Sequence, residues 1–116
     1  MTAGIRCCGF PLANEHRIAD VAYRVRTVRS LDEYRTAIGA IGHYFGWVLS
    51  EEEATRFSTL LPFDRMHAVL DDGAIVAGAG AYGFELTVPG GALPCGGVTV
   101  VGVLPSHRRR GLLRRM

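Results

Sequence analysis

At Met66 the hydrophobic period of this chain changes from that of helices to that of strands. Two turn signals then divide the second half. Asp71-Asp72-Gly73 is a hairpin turn of the kind that needs positive φ, and Pro89-Gly90-Gly91 is a second reversal. Three strands are predicted between and beside them: Met66 to Leu70, Ala74 to Val88, and a third ending near Leu104. Short connections of this kind cannot support parallel crossovers, so the second half is expected to run as an antiparallel meander. Gly78, Gly80 and Gly83 inside the long middle strand mark bends or places of close backbone approach.

The first half obeys other rules. Tyr23, Val25 and Thr27 alternate with Arg24 and Arg26, which predicts a first strand over 23–29, with Val28 breaking the pattern near its end. Ser30 and Glu33 have the spacing of a capping box. The helix they open carries Leu31, Tyr34, Ile38, Ile41 and Phe45 on one stripe, with Gly46 as its stop. Gly39 and Gly42 weaken that helix or let it pack closely. Ser50 and Glu53 repeat the capping grammar, and Ala54, Phe57, Leu60 and Leu61 form the apolar face of a second helix that Pro62 ends. The order is β-α-α-β-β-β followed by the start of a helix. The expected fold class is α/β, a mainly antiparallel sheet packed by helices.

At 116 residues the chain has room for one domain, expected over 22–116 behind a loose extension over 1–21. A hydrophobic share of 48% suits a folded globular chain, and no apolar run reaches the roughly 18 residues of a membrane span. The N-terminus lacks the apolar stretch of a secretory signal, so a cytoplasmic setting is expected. Cys7, Cys8 and Cys95 show no metal-ligand spacing and read as free thiols. All 13 basic side chains are Arg. Five of them (Arg108, Arg109, Arg110, Arg114 and Arg115) lie beyond His107, where no acid occurs, leaving eight Arg against 11 acids before it. The positive charge is therefore local and calls for a local anion.

That local charge follows the Val-rich third strand and Pro105, and surrounds Gly111 at the first turn of the last helix. A helix start presents N–H groups without intrahelical acceptors, and Gly111 permits positive φ or close approach of a phosphate. Arginine forks add charge-assisted bonds. Unpaired peptide groups along Val100 to Val103 can bond an extended amide chain. A diphosphate joined to an amide chain is the plan of coenzyme A. The tail can also be read as a solvated helix face or a nucleic-acid contact, although no aromatic residue interleaves its arginines. His107 reads as a structural turn residue, His43 as surface or packing, and His67 as a strand residue without a visible partner. Tyr82 and Phe84 suit either a core or an acceptor pocket. Glu51, Glu52 and Glu53 are foremost a helix start.

The segment from Val100 to Leu113 resembles the acetyl-CoA-binding motif of GCN5-related N-acetyltransferases (GNAT), whose signature is Arg or Gln, two residues, Gly, one residue, then Gly or Ala. Arg108 and Gly111 match it, and Leu113 stands where the small residue is usual. The wider run of Leu86, Thr87, Val88, Pro89, Gly90, Leu93 and Pro94 with the Arg-Gly-Leu-Leu turn is similar to the Eis-like branch. That resemblance implies a partial GNAT fold, with Val101, Gly102 and Val103 contacting the pantetheine arm. It places Arg109, Arg110, Gly111, Leu112, Leu113 and Arg114 around the pyrophosphate. It implies acetyl transfer from acetyl-CoA to a primary amine of an aminoglycoside-type small molecule or of lysine, in a parent protein that assembles as a hexamer. The donor strand polarises the thioester carbonyl, while a tyrosine acid and a carboxylate base come from chain beyond Met116. On this expectation the chain is the N-terminal part of such a domain, carries the cofactor half and is inactive alone. A remnant, or a module binding anions or nucleic acid, remains the alternative.

Overall fold

A computed structural model describes residues 23–116. The expected extension over 1–21, with Cys7 and Cys8, lies outside the described residues. The elements are β1 (Arg24–Thr27), α1 (Leu31–Phe45), α2 (Glu51–Leu60), β2 (Met66–Asp71), β3 (Ala74–Val88), β4 (Gly91–Val103) and α3 (Leu112–Arg115). All four strands pair antiparallel in the order β1-β2-β3-β4, the meander expected from the turns. Asp72 and Gly73 both take positive φ, as a tight two-residue hairpin requires. β1 is shorter than the alternation suggested, although the Val28 N–H still donates to the Met66 carbonyl at 3.0 Å.

The two capping signatures give different results. At α2 the box is complete: the Ser50 hydroxyl accepts from the Glu53 N–H at 3.2 Å, and Glu53 accepts from the Ser50 N–H at 2.8 Å. At α1 the Ser30 hydroxyl accepts from the Glu33 N–H, but the Glu33 carboxylate accepts from the Arg29 N–H instead. Arg26 of β1 draws it there with a two-pronged bond, both prongs 2.7 Å. Gly46 ends α1 with φ of 68°.

Helices α1 and α2 cover one face of the sheet. Tyr34, Ala37, Ile38, Ala54, Leu61, Met66 and Ala68 are buried there. Tyr34 reaches past the end of α2 and donates to the Leu61 carbonyl at 3.0 Å. The expected stripe is corrected at its far end: Phe45 is 70% exposed, because in the last turn of α1 it is the neighbouring Tyr44 that turns to β4, where it bonds the Val103 carbonyl. In α2 only Ala54 and the following Leu61 are buried, while Leu60 is 69% exposed and Phe57 is near the surface. A smaller cluster on the opposite face joins Tyr23, Val69, Val76, Ala77 and Leu112. The chain therefore crosses to the other side of the sheet as it enters α3. No helix among the described residues is long and apolar enough to cross a membrane.

Candidate functional site

Among the described residues β4 lies at the end of the sheet, paired with β3 along one side only. Between the pairs Gly78↔Gly102 and Gly80↔Thr99, the single residue Ala79 faces both Val100 and Val101. This is a β-bulge, and Val100 adopts φ of 46° within it. After the bulge, the Leu104 N–H donates to the Val76 carbonyl at 2.9 Å. Peptide groups alternate sides along an antiparallel strand, so those of Val103, and of Val101 two residues earlier, point to the open edge. Gly102 faces the helices instead. A Cβ there would overlap the backbone of Ala40 and Ile41, so this glycine lets α1 lie directly on β4.

A short 3-10 turn, Pro105–His107, leads from β4 into the arginines. Asp71, at the start of the β2–β3 hairpin, accepts from His107 Nε2–H at 3.0 Å, which leaves Nδ1 facing the Ser106 hydroxyl at 2.8 Å. His107 is thereby a structural pin. Arg109 (φ 60°) and Gly111 (φ 73°) both take left-handed conformations, which wind the turn tightly. Among the described residues, the N–H groups of Arg109 through Leu113 have no backbone acceptor. Leu112 is buried on Val69, Val76 and Ala77, worth about 2 kcal/mol of apolar burial, and fixes α3 to the sheet. Leu113 is 61% exposed beside the turn.

None of the five tail arginines pairs with a carboxylate among the described residues. Three are held by tyrosines. Arg108 Nε–H donates to the Tyr44 hydroxyl at 2.8 Å, and its guanidinium lies 4.4 Å from the centre of that ring. Arg110 donates to the Tyr23 hydroxyl at 2.6 Å, and Arg115 to the Tyr23 carbonyl at 2.9 Å. Arg109 and Arg114 make no such bond among the described residues. Together with Val103, His107, Arg108, Gly111, Leu112 and Leu113, they border a cavity of about 220 Å³. This is smaller than the roughly 300–1,000 Å³ that encloses a whole drug-sized ligand.

The sequence-predicted residues therefore come together, but with unequal roles. Val101 and Val103 offer peptide groups at the open edge, Gly102 serves helix packing, and Leu112 serves the core. Arg110 is tied down. Tyr23 and Tyr44 were not among the predicted site residues, and no local spacing announces them. His43 stacks edge-on against Tyr44, and Phe84 is largely exposed on the far hairpin. Glu52 pairs with Arg56 and Glu53 closes its capping box, so the acidic run at α2 acts as a helix start. No group of three or more potential metal ligands occurs among the described residues.

The profile of the family described as Acetyltransferase (GNAT) domain matches residues 24–116. An uncharacterized N-acetyltransferase of Streptomyces avermitilis is 45% identical over 84 residues, covering 72% of this chain and 20% of that protein. The N-acetyltransferase Eis of Mycobacterium tuberculosis is 45% identical over 73 residues, covering 59% and 18%. The crystal structure of Eis1 from Mycobacterium abscessus superposes with a TM-score of 0.65 at 31% identity, covering 80% of this chain and 22% of the other. The chain thus spans about a fifth of the length of these relatives.

Proposed function

Because this chain belongs to the GNAT acetyltransferase family, we propose that its β4 edge and arginine turn bind acetyl-CoA for transfer of the acetyl group to a primary amine. The observation that carries this reading is the continuity of a strand edge with a turn of arginines, the edge unpaired and the arginines without acidic partners among the described residues. The outward peptide groups of Val101 and Val103 bond the amides of the pantetheine arm as a neighbouring strand would. The free N–H groups from Arg109 to Leu113 and the forks of Arg108, Arg109 and Arg114 hold the diphosphate. Gly111 contributes a conformation, since its φ of 73° is strained for any side chain. The bulge at Val100 bends the edge away from straight pairing, which leaves space for a ligand beside it.

In the transfer, the amine nitrogen attacks the thioester carbon, the C–S bond breaks, the thiolate takes a proton and the new amide loses one. N–H donors on β4 favour the charge that develops on the carbonyl oxygen. Within these residues the proposal assigns no catalytic acid or base, and it takes the domain over 22–116 as the cofactor half of a larger active centre. Likeness to Eis supports an aminoglycoside- or lysine-type acceptor and a hexameric parent. The expected behaviour of the 116-residue chain is binding without turnover.

Thermal unfolding with and without acetyl-CoA tests this. A ligand at a hundred times its Kd stabilises the folded state by about 2.7 kcal/mol, a shift of roughly 10–20 °C in a domain of this size. The wild-type chain should show that shift, and an Arg109→Ala, Arg114→Ala double variant should lose most of it. A wild-type chain indifferent to millimolar acetyl-CoA would defeat the proposal.

A further inference from the structure

Resting on the cofactor reading above, we propose that Tyr44 is a positioning residue that sets the spacing between the strand half and the arginine half of the site. Tyr44 stands in the last turn of α1, far in sequence from both halves. Its hydroxyl donates to the Val103 carbonyl and accepts from Arg108 Nε–H at 2.8 Å. A phenol has one proton and free lone pairs, so both bonds form together without competition. Its ring also lies under the Arg108 guanidinium, at 4.4 Å.

The choice of atoms matters. Tyr44 engages Arg108 through Nε, and the two terminal nitrogens make no other hydrogen bond among the described residues. The side chain is therefore held while its fork stays open toward an anion. At Val103, the carbonyl is taken by the phenol, which leaves the N–H as the group that edge offers to an amide. The other restraints on the turn act elsewhere. Asp71 holds His107, and Tyr23 holds Arg110 and Arg115. Tyr44 is the described side chain that hydrogen-bonds both ligand-bonding halves. It is more than one-third exposed, so burial of its ring explains little of its placement.

Tyr44→Phe keeps the ring and removes both bonds, and the amide spectrum reports whether the variant folds. In the unliganded wild-type chain, the Arg108 Nε–H should give a resolved, slowly exchanging nitrogen-proton resonance. Tyr44→Phe should collapse it into the exchanging arginine envelope. Coenzyme A, which spans both halves, should bind the variant about tenfold more weakly, the size of one net hydrogen bond. Pantetheine, which reaches only the strand, should change less than about twofold. In an Arg108→Ala background, Tyr44→Phe should cost almost nothing further, because its effect runs through Arg108. Full additivity of the two substitutions overturns the proposal, as does unchanged coenzyme A affinity or an Arg108 resonance that survives Tyr44→Phe. Failure of the wild-type chain to bind coenzyme A overturns the cofactor reading, whereas normal wild-type binding with an indifferent Tyr44→Phe variant overturns only the part given to Tyr44.

Discussion

Arg26 reaches from β1 to both oxygens of Glu33, and the Arg29 N–H adds a third bond to the same carboxylate. The Arg26 hydrogen bond, then that from Arg29, pull the Glu33 carboxyl from its ordinary 4.5 down to about 2. A carboxyl with a depressed folded pKa favours the folded state fully above its unfolded value and loses that contribution as pH falls toward the folded one. Part of the acid denaturation of this domain should therefore fall between about pH 4.5 and 2. A Glu33→Gln variant should lack that portion, with a flatter midpoint-against-pH curve across this window. The neighbouring Tyr34 shows the opposite environment. Burial first, and the charge of Tyr82 second, push its hydroxyl up to about 12, so it remains a donor to the Leu61 carbonyl at any working pH. Tyr34→Phe leaves that carbonyl buried without its partner and should cost about 1–2 kcal/mol in denaturant unfolding. A variant as stable as wild type would mean that solvent reaches the end of α2.

At the scale of elements, α1 lies on the sheet over two facing glycines. Gly78 and Gly102 are cross-strand partners, and a Cβ on either would enter the backbone of α1, at Ala37 or at Ala40 and Ile41. Gly102→Ala should lower stability by about 1–3 kcal/mol through overpacking. Gly96→Ala, on the same strand with open space around it, should be near neutral and serves as the control. Equal effects at both positions would assign the loss to strand propensity and not to the helix contact. The sequence made the elements legible because their limits are local: Gly46, Pro62, Asp72-Gly73 and Pro89-Gly90 each act within a few residues. It also marked Gly111, whose left-handed φ the turn uses. It could not show that Phe45 and Leu60 lie outside the core, since periodicity identifies a helix face and not what covers it. Nor could it separate held from unheld arginines, because the tyrosines that hold them come from β1's entry and α1's end. Those contacts exist only after the sheet has brought distant segments together.

For the whole molecule, charge separation decides between two kinds of site. Positive charge gathers in the final turn while the earlier chain carries an acidic excess, so any polyanion should be drawn to that end at low salt. Such attraction depends on screening, whose length shrinks from about 10 Å at 0.1 M to about 3 Å at 1 M. Hydrogen bonds to a strand edge depend on it far less. Inorganic pyrophosphate, which can use only the turn, should therefore bind at 0.1 M and be nearly lost at 1 M. On the proposed reading, coenzyme A should keep a measurable part of its affinity at 1 M, its amide arm also bonding Val101 and Val103 on an edge that no other strand among the described residues pairs. Calorimetric titration at the two salt concentrations gives both values. If the two ligands fall together to the same level, the strand edge contributes nothing and the tail is a general anion grip, whatever the family has made of the same turn elsewhere. A gap that widens with salt identifies a site built for a molecule with a charged end and an amide arm.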